Sequence, residues 1–195
     1  MKHLIVFAHP SQDSFNGAIL KTICTQLQNQ GQPVEIRDLY RLSFSPVLTQ
    51  DEIRGFKELS YSKDIAKEQD YIDWADVLYF IYPTWWYAAP AILKGYFDRV
   101  LSSGFAFQST LEGPAGLLKG KKAFVIETAG DTEKSLAIRG LSENMRHTID
   151  QGILGYCGIE VVQHFILAGI HDLSNEERQL HLDKISGTIA SFCMT

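Results

Sequence analysis

The chain is poor in cysteine, in clustered basic residues and in long charge-free runs, and each shortage closes off a class of protein. Cys24, Cys157 and Cys193 are its three cysteines in 195 residues. Odd in number, widely spaced and without a Cys-x-x-Cys or Cys/His ligand spacing, they argue against a disulfide framework and a metal centre. They fit free thiols in a reducing compartment. The densest basic stretch is "LKGKK" at 118–122, which reads as a solvated turn before a strand. With a formal charge of −5 and a pI near 5.6, no nucleic-acid footprint is expected. The longest apolar stretch of interest, Val77 to Leu93, carries no charge but is interrupted by Pro83 and Pro90. A buried strand followed by a loop accounts for it better than a membrane span. The opening "KHLIVFA" has no charged region ahead of a long apolar segment and cleavage site, so no export signal is expected and the protein is placed in the cytoplasm. Two familiar phosphate loops, G-x-G-x-x-G and G-x-x-x-x-G-K-[ST], are missing too, which sets aside the usual dinucleotide fold and P-loop hydrolysis.

What the chain does have is an alternation. Apolar runs at 4–8, 34–36, 77–82, 123–127 and 160–168 are mostly continuous, as in strands buried on both faces of a parallel sheet. Between them lie helical patterns. Ile19, Ile23 and Leu27 recur every four residues and Gly31 follows as a stop. Ile92, Leu93, Tyr96, Phe97, Val100 and Leu101 form a second stripe, and Met145, Ile149 and Ile153 a third. Thr49/Glu52 and Ser174/Glu177 have capping-box spacing, the first ahead of two short helices over 50–74, the second ahead of a helix carrying Leu182, Ile185, Ile189 and Phe192. The expectation is one α/β domain over 1–195, a doubly wound five-stranded parallel sheet. Its ligands would sit beyond the carboxyl ends of the strands, at the loops 9–16, 83–90 and 128–140.

The first loop, "FAHPSQDSFN" at 7–16, sets His9, Ser11, Ser14, Phe15 and Asn16 where a strand hands over to a helix. Unpaired N–H groups and the positive end of the helix dipole there suit a phosphate; equally, Ser14 or Asp13 caps the helix and His9-Pro10 makes a turn. The second loop follows the third strand with Trp85, Trp86 and Tyr87 in a row, either partners for a flat ring or residues filling a core or subunit contact. The third, "ETAGDTEKS" at 127–135, has small residues that allow close backbone approach, as an ordinary strand-to-helix turn also has. A phosphate site, a ring-stacking loop and a small-residue loop at one sheet edge are what a flavin nucleotide needs.

"FAHP…SFN", "YPTWWYAAPAILKGYFDRV", "ETAG" and "GILGYCGI" resemble the NAD(P)H:quinone oxidoreductases, the DT-diaphorase-like branch of the flavodoxin-like fold, and the likeness runs over most of the chain. The resemblance implies a homodimeric enzyme that binds FAD, or FMN in shorter members, and passes two electrons from NAD(P)H to quinones or other flat acceptors. It implies that His9, Ser14, Phe15 and Asn16 hold the flavin phosphates, to which the Ser11 hydroxyl adds a donor by its place in the same loop. Pro83, Thr84, Trp85 and Trp86 would lie along the ring, Thr128, Ala129 and Gly130 at its pyrimidine end, with Tyr87 shaping the acceptor pocket. No metal and no catalytic side chain is assigned, because the tyrosine and histidine that follow the third loop in mammalian members have no counterpart in 131–142. Asp131, where the family more often has a small residue, would oppose an anionic reduced flavin or else turn to solvent. The remaining histidines, His147, His164, His171 and His181, are expected to be structural or exposed. Two other readings of such a chain are a flavin-binding regulatory subunit of a potassium-efflux system and a flavodoxin-like electron carrier.

Overall fold

The computed structural model describes residues 1–194; Thr195, the last residue of the expected domain, lies outside them. Five parallel strands, β1 (His3–Phe7), β2 (Val34–Asp38), β3 (Val77–Pro83), β6 (Lys122–Thr128) and β7 (Glu160–Leu167), form a sheet in the order β2-β1-β3-β6-β7. Helices α1 (Phe15–Asn29), α2 (Gln50–Glu58), α3 (Lys63–Trp74), α4 (Ala91–Val100), α5 (Glu133–Ile138), α6 (Leu141–Arg146) and α7 (Asn175–Phe192) connect and cover it.

The continuous apolar runs follow from burial on both faces. Leu4, Val6, Leu78, Phe80, Tyr82, Ala123 and Val125 point to one side, against Ile65, Ile72, Leu93, Phe97 and Val100 of α3 and α4. Ile5, Phe7, Tyr79, Ile81, Phe124 and Ile126 point to the other, against Ile19, Ile23 and Leu27 of α1 and Ile185 and Ile189 of α7. The strand period of two thus feeds two cores from one sheet. Both expected capping boxes form, Thr49 with Glu52 and Ser174 with Glu177.

Three features depart from expectation. A small antiparallel hairpin, β4 (Phe107–Thr110) with β5 (Gly113–Gly116), stands between α4 and β6. The stretch expected as one helix over 142–158 is α6, then a π-helix (His147–Leu154), then a 3-10 turn (Gly155–Cys157). Its buried apolar positions are Met145, Ile149 and Leu154, and the last step of five residues matches the wider turn. Lys121, placed in a solvated turn, instead sends its Nζ to the carbonyls of Asp73 (3.0 Å) and Ala75 (2.7 Å), closing the end of α3. Among the described residues no helix is long and apolar enough to cross a membrane. Cys24, Cys157 and Cys193 are free thiols, and burial pushes the first two up to about 11.

The strand order reverses at β1. The chain passes from β1 outward to β2 and then returns to β3 on the other side, so the loops after β1 and β3 flank a crevice at the carboxyl ends.

Candidate functional site

The loop after β1 folds back over the start of α1. Ser14 caps the helix, its Oγ accepting from the Gly17 N–H at 3.2 Å and donating to the Ser11 carbonyl at 2.8 Å. Ser11 Oγ accepts from the Asp13 N–H, and His9 Nδ1 lies 3.0 Å from Ser11 N and 2.7 Å from its carbonyl oxygen, which leaves Nε2 outside the loop's own bonds. The fold-back is possible because residue 17 is glycine: a Cβ there would stand 1.8 Å from the Gln12 carbonyl oxygen. Among the described residues the N–H groups of Gln12, Ser14, Phe15 and Asn16 have no acceptor. Together with the helix N-terminus they form a cradle of donors suited to phosphate.

Asn16 contributes differently from expectation. Its side chain is buried and turned inward, Nδ2 donating to Thr128 Oγ1 at 2.8 Å, with Oδ1 lacking a partner. It ties the first loop to the end of β6. The Phe15 ring likewise packs on the α1/α7 face, 5.5 Å from the Arg178 guanidinium, leaving only its backbone for a phosphate.

The loop after β3 is a tight turn in which Trp85 and Ala88 exchange two backbone hydrogen bonds at 3.1 and 3.2 Å. Trp86 and Tyr87 occupy its corners with φ of 54° and 57°, the left-handed region that bulky side chains avoid. Both indoles stand outside the core: Trp85 is 45% and Trp86 95% exposed. Thr84, Trp86, Tyr87, Ala129, Gly130 and Asp131 line one pocket of about 220 Å³. Pro83 and Thr128, paired as the last residues of β3 and β6, lie behind it. The N–H groups of Trp86, Tyr87, Gly130 and Asp131 are without acceptors among the described residues, whereas that of Thr84 is used on the Thr128 carbonyl. The His171 ring, expected to have no part here, rests against Gly130, where a Cβ would be 2.9 Å from Nε2.

Asp131, partly exposed, has its carboxylate engaged by its neighbours. Ser135 Oγ (3.0 Å), the Thr132 N–H, Tyr87 Oη (3.2 Å) and Arg139 Nη1 (3.2 Å) all reach its carboxylate and hold it below the usual carboxylate range. Arg139 also donates to Tyr87 Oη at 2.7 Å and lies over that ring. Nothing in the sequence signals this clasp, whose members are eight and fifty-two positions apart.

Behind the pocket lies a second group that sequence reasoning passed over. Thr84 Oγ1 donates to Glu127 Oε2 at 2.7 Å; Glu127 Oε1 meets His164 Nε2 at 2.8 Å; His164 Nδ1 meets Asp150 Oδ1 at 2.7 Å. Burial alone would push the imidazolium down, but the hydrogen bonds and charges of Asp150 and Glu127 outweigh it and raise the His164 pKa. His147 and His181 stand apart, the one exposed and the other half-buried. No cluster of metal-ligating side chains occurs among the described residues.

A family model described as a flavodoxin-like fold matches residues 1–189. An uncharacterized NAD(P)H oxidoreductase of Haemophilus influenzae is 38% identical over 184 residues, 94% of this chain and 91% of that one. A ribosyldihydronicotinamide dehydrogenase [quinone] of Mus musculus is 35% identical, covering 93% of this chain and 87% of that one. The solved structure of an NAD(P)H:quinone oxidoreductase from Methanothermobacter marburgensis superposes with a TM-score of 0.86 at 33% identity, over 98% of this chain and 96% of that one. The chain belongs to the flavodoxin-like family, on the branch that holds the NAD(P)H:quinone oxidoreductases.

Proposed function

We propose that the chain is a flavin-dependent oxidoreductase that draws two electrons from NAD(P)H and delivers them to a quinone or another flat electrophile. The observation that carries this reading is the pairing of two unlike donor sites at the ends of adjacent strands. One is a cradle of four unspent N–H groups at a helix N-terminus after β1; the other is an aromatic-sided pocket with four more such groups after β3. The first suits a phosphate and the second a planar ring with polar edges. Asn16, spanning from the first loop to Thr128, fixes their relative position. The names of the relatives agree with this chemistry.

A flavin bound there would supply the hydride and electron chemistry, so the protein's share is positioning and electrostatics. Trp86 and Trp85 would hold the flat face of a ring. The free N–H groups of Gly130 and Asp131 would meet its carbonyl edge, and the neutralised Asp131–Arg139 clasp keeps a bare carboxylate away from it. The reading includes a ping-pong order, in which NAD(P)H gives its hydride and leaves before the acceptor takes the same slot. It includes a homodimer too, since a pocket of about 220 Å³ beside an indole that is 95% exposed is only partly enclosed by one chain.

The test is to purify the protein, release its cofactor by heat, identify it by mass, and follow oxidation of NADPH and of NADH with and without a simple quinone. The expected result is a yellow protein carrying FAD, with FMN as the alternative outcome for the cofactor, and oxidation that depends on quinone. A colourless protein that refuses added FAD and FMN overturns the reading. Bound flavin without turnover would favour the regulatory subunit, and turnover only through a redox protein the carrier.

A further inference from the structure

Two irregularities of the backbone converge on one side chain. Between β6 and β7 the register slips by one: Ala123 pairs with Val161 but Phe124 pairs with Gln163, leaving Val162 as an extra residue. A one-residue slip turns every later side chain of β7 to the opposite face. The bulge is therefore what places His164 beside Val125 and Glu127, on the α3/α4 face, instead of among the apolar residues against α1 and α7. On that face the π-helix swings Asp150 to His164 Nδ1. Bulges and π-turns recur where a chain must aim a side chain for function.

What they aim is the Thr84 hydroxyl. Glu127 Oε2 accepts its proton at 2.7 Å, and the Thr84 N–H is already given to the Thr128 carbonyl. Toward the pocket, Thr84 thus has lone pairs and no proton. We propose that His164 is a positioning residue and specificity determinant of the ring pocket: by engaging Glu127 Oε1, it keeps Oε2 aligned on the Thr84 proton and makes the Thr84 hydroxyl an acceptor, so the pocket selects a ring bearing an N–H at that edge. The inference rests on the flavin reading, and a flavin ring has such a group.

The chain of bonds has two directions. Without His164, the buried Glu127 carboxyl would lose the group that fixes its Oε1. Oε2 would then no longer be held on the Thr84 hydroxyl, whose proton would be free to turn into the pocket. Among the described residues no hydrogen bond or ion pair joins Arg146 to Glu127; its Nη1 donates to the His164 carbonyl at 2.6 Å. Glu127→Gln turns the bond round, its amide nitrogen donating to Thr84 in place of the accepting Oε2.

The experiment is a double-mutant cycle on flavin affinity, read by quenching of FAD and FMN fluorescence in the stripped protein. Glu127→Gln, His164→Gln and Thr84→Val should each weaken binding roughly five- to tenfold, the worth of one hydrogen bond. The doubles Glu127→Gln/Thr84→Val and His164→Gln/Thr84→Val should be no weaker than Thr84→Val alone, and Thr84→Ser should bind like the parent. In the ligand-free protein, NMR titration of His164 should show a midpoint above that of an ordinary histidine, falling in Glu127→Gln. A merely structural His164 would lower the melting temperature yet leave flavin affinity unchanged, or add its loss to that of Thr84→Val; either result overturns the proposal while sparing the flavin reading. Parent protein that binds neither flavin overturns both.

Discussion

The amino and carboxyl ends of the sheet each bury a histidine, and the two are shifted in opposite directions. His3 opens β1 with no exposure, its Nδ1 3.0 Å from Tyr79 Oη and its Nε2 without a partner among the described residues. Burial and the nearby N-terminal charge lower it from 6.5 to about 4, so it is neutral. His164, near the end of β7, is as deeply buried, yet the hydrogen bonds and charges of Asp150 and Glu127 raise its pKa above the ordinary histidine value. Burial alone therefore does not set the charge of a histidine; the partners do. The difference also follows which end carries the proposed site. At the amino end a polar group is tolerated by being kept neutral. At the carboxyl end the chain gathers unspent N–H groups, two strained aromatic residues and a buried charge network.

The largest expected break in this comparison comes from Gly17→Ala. The added methyl would meet the Gln12 carbonyl oxygen at 1.8 Å and push the first loop off α1. We expect a loss of about 3 to 4 kcal/mol by urea unfolding and a flavin affinity at least a hundredfold weaker, because the N–H groups of the cradle would no longer converge. Near-parental stability with intact binding would mean that the loop is not held as described.

The histidines predict opposite pH slopes. For His3 the folded value lies below the unfolded one, so the unfolded chain binds the extra proton between them. Its contribution is complete above 6.5 and is lost as pH falls toward about 4, at most about 3 kcal/mol. For His164 the folded value is raised, so its contribution is present below the ordinary histidine value and lost as pH rises through the raised one. Unfolding free energies measured across pH for the parent, His3→Phe and His164→Gln separate the two: the first substitution should flatten the acid limb and the second the alkaline one. Equal slopes in all three would dissolve the distinction between the ends.

How much of this was legible in the sequence follows the range of the forces involved. The strands at 4–8, 77–82 and 123–127, the boxes at Thr49 and Ser174 and the Ser14 cap are local patterns, and each forms. So does the gathering of Thr84, Trp86, Tyr87, Ala129 and Gly130, which follows once the strands are ordered. The β4–β5 hairpin escaped because "GPAG" is a poor strand by propensity and pairs only in its tertiary setting. The inward turn of Asn16, the reach of Arg139 to Tyr87 and the alignment of His164 with Glu127 were beyond any local pattern. Each joins residues between 37 and 112 positions apart, and the last depends on an extra residue in one strand.

The smallest expected effect concerns the turn at Trp86. Glycine is at ease at φ 54°, so Trp86→Gly should relieve strain and raise stability by about 1 kcal/mol. The indole it removes is 95% exposed and contributes next to nothing to the core, so no packing loss offsets the gain. If that indole serves a flat ring, the stabilised variant should bind flavin about tenfold less tightly. Stability and binding would then move in opposite directions at this loop, whereas at Gly17 they fall together. That contrast distinguishes a loop whose geometry is fixed by packing from one whose strain is retained for a ligand. A Trp86→Gly protein that is less stable and binds flavin as the parent does would show the indole serving the fold instead.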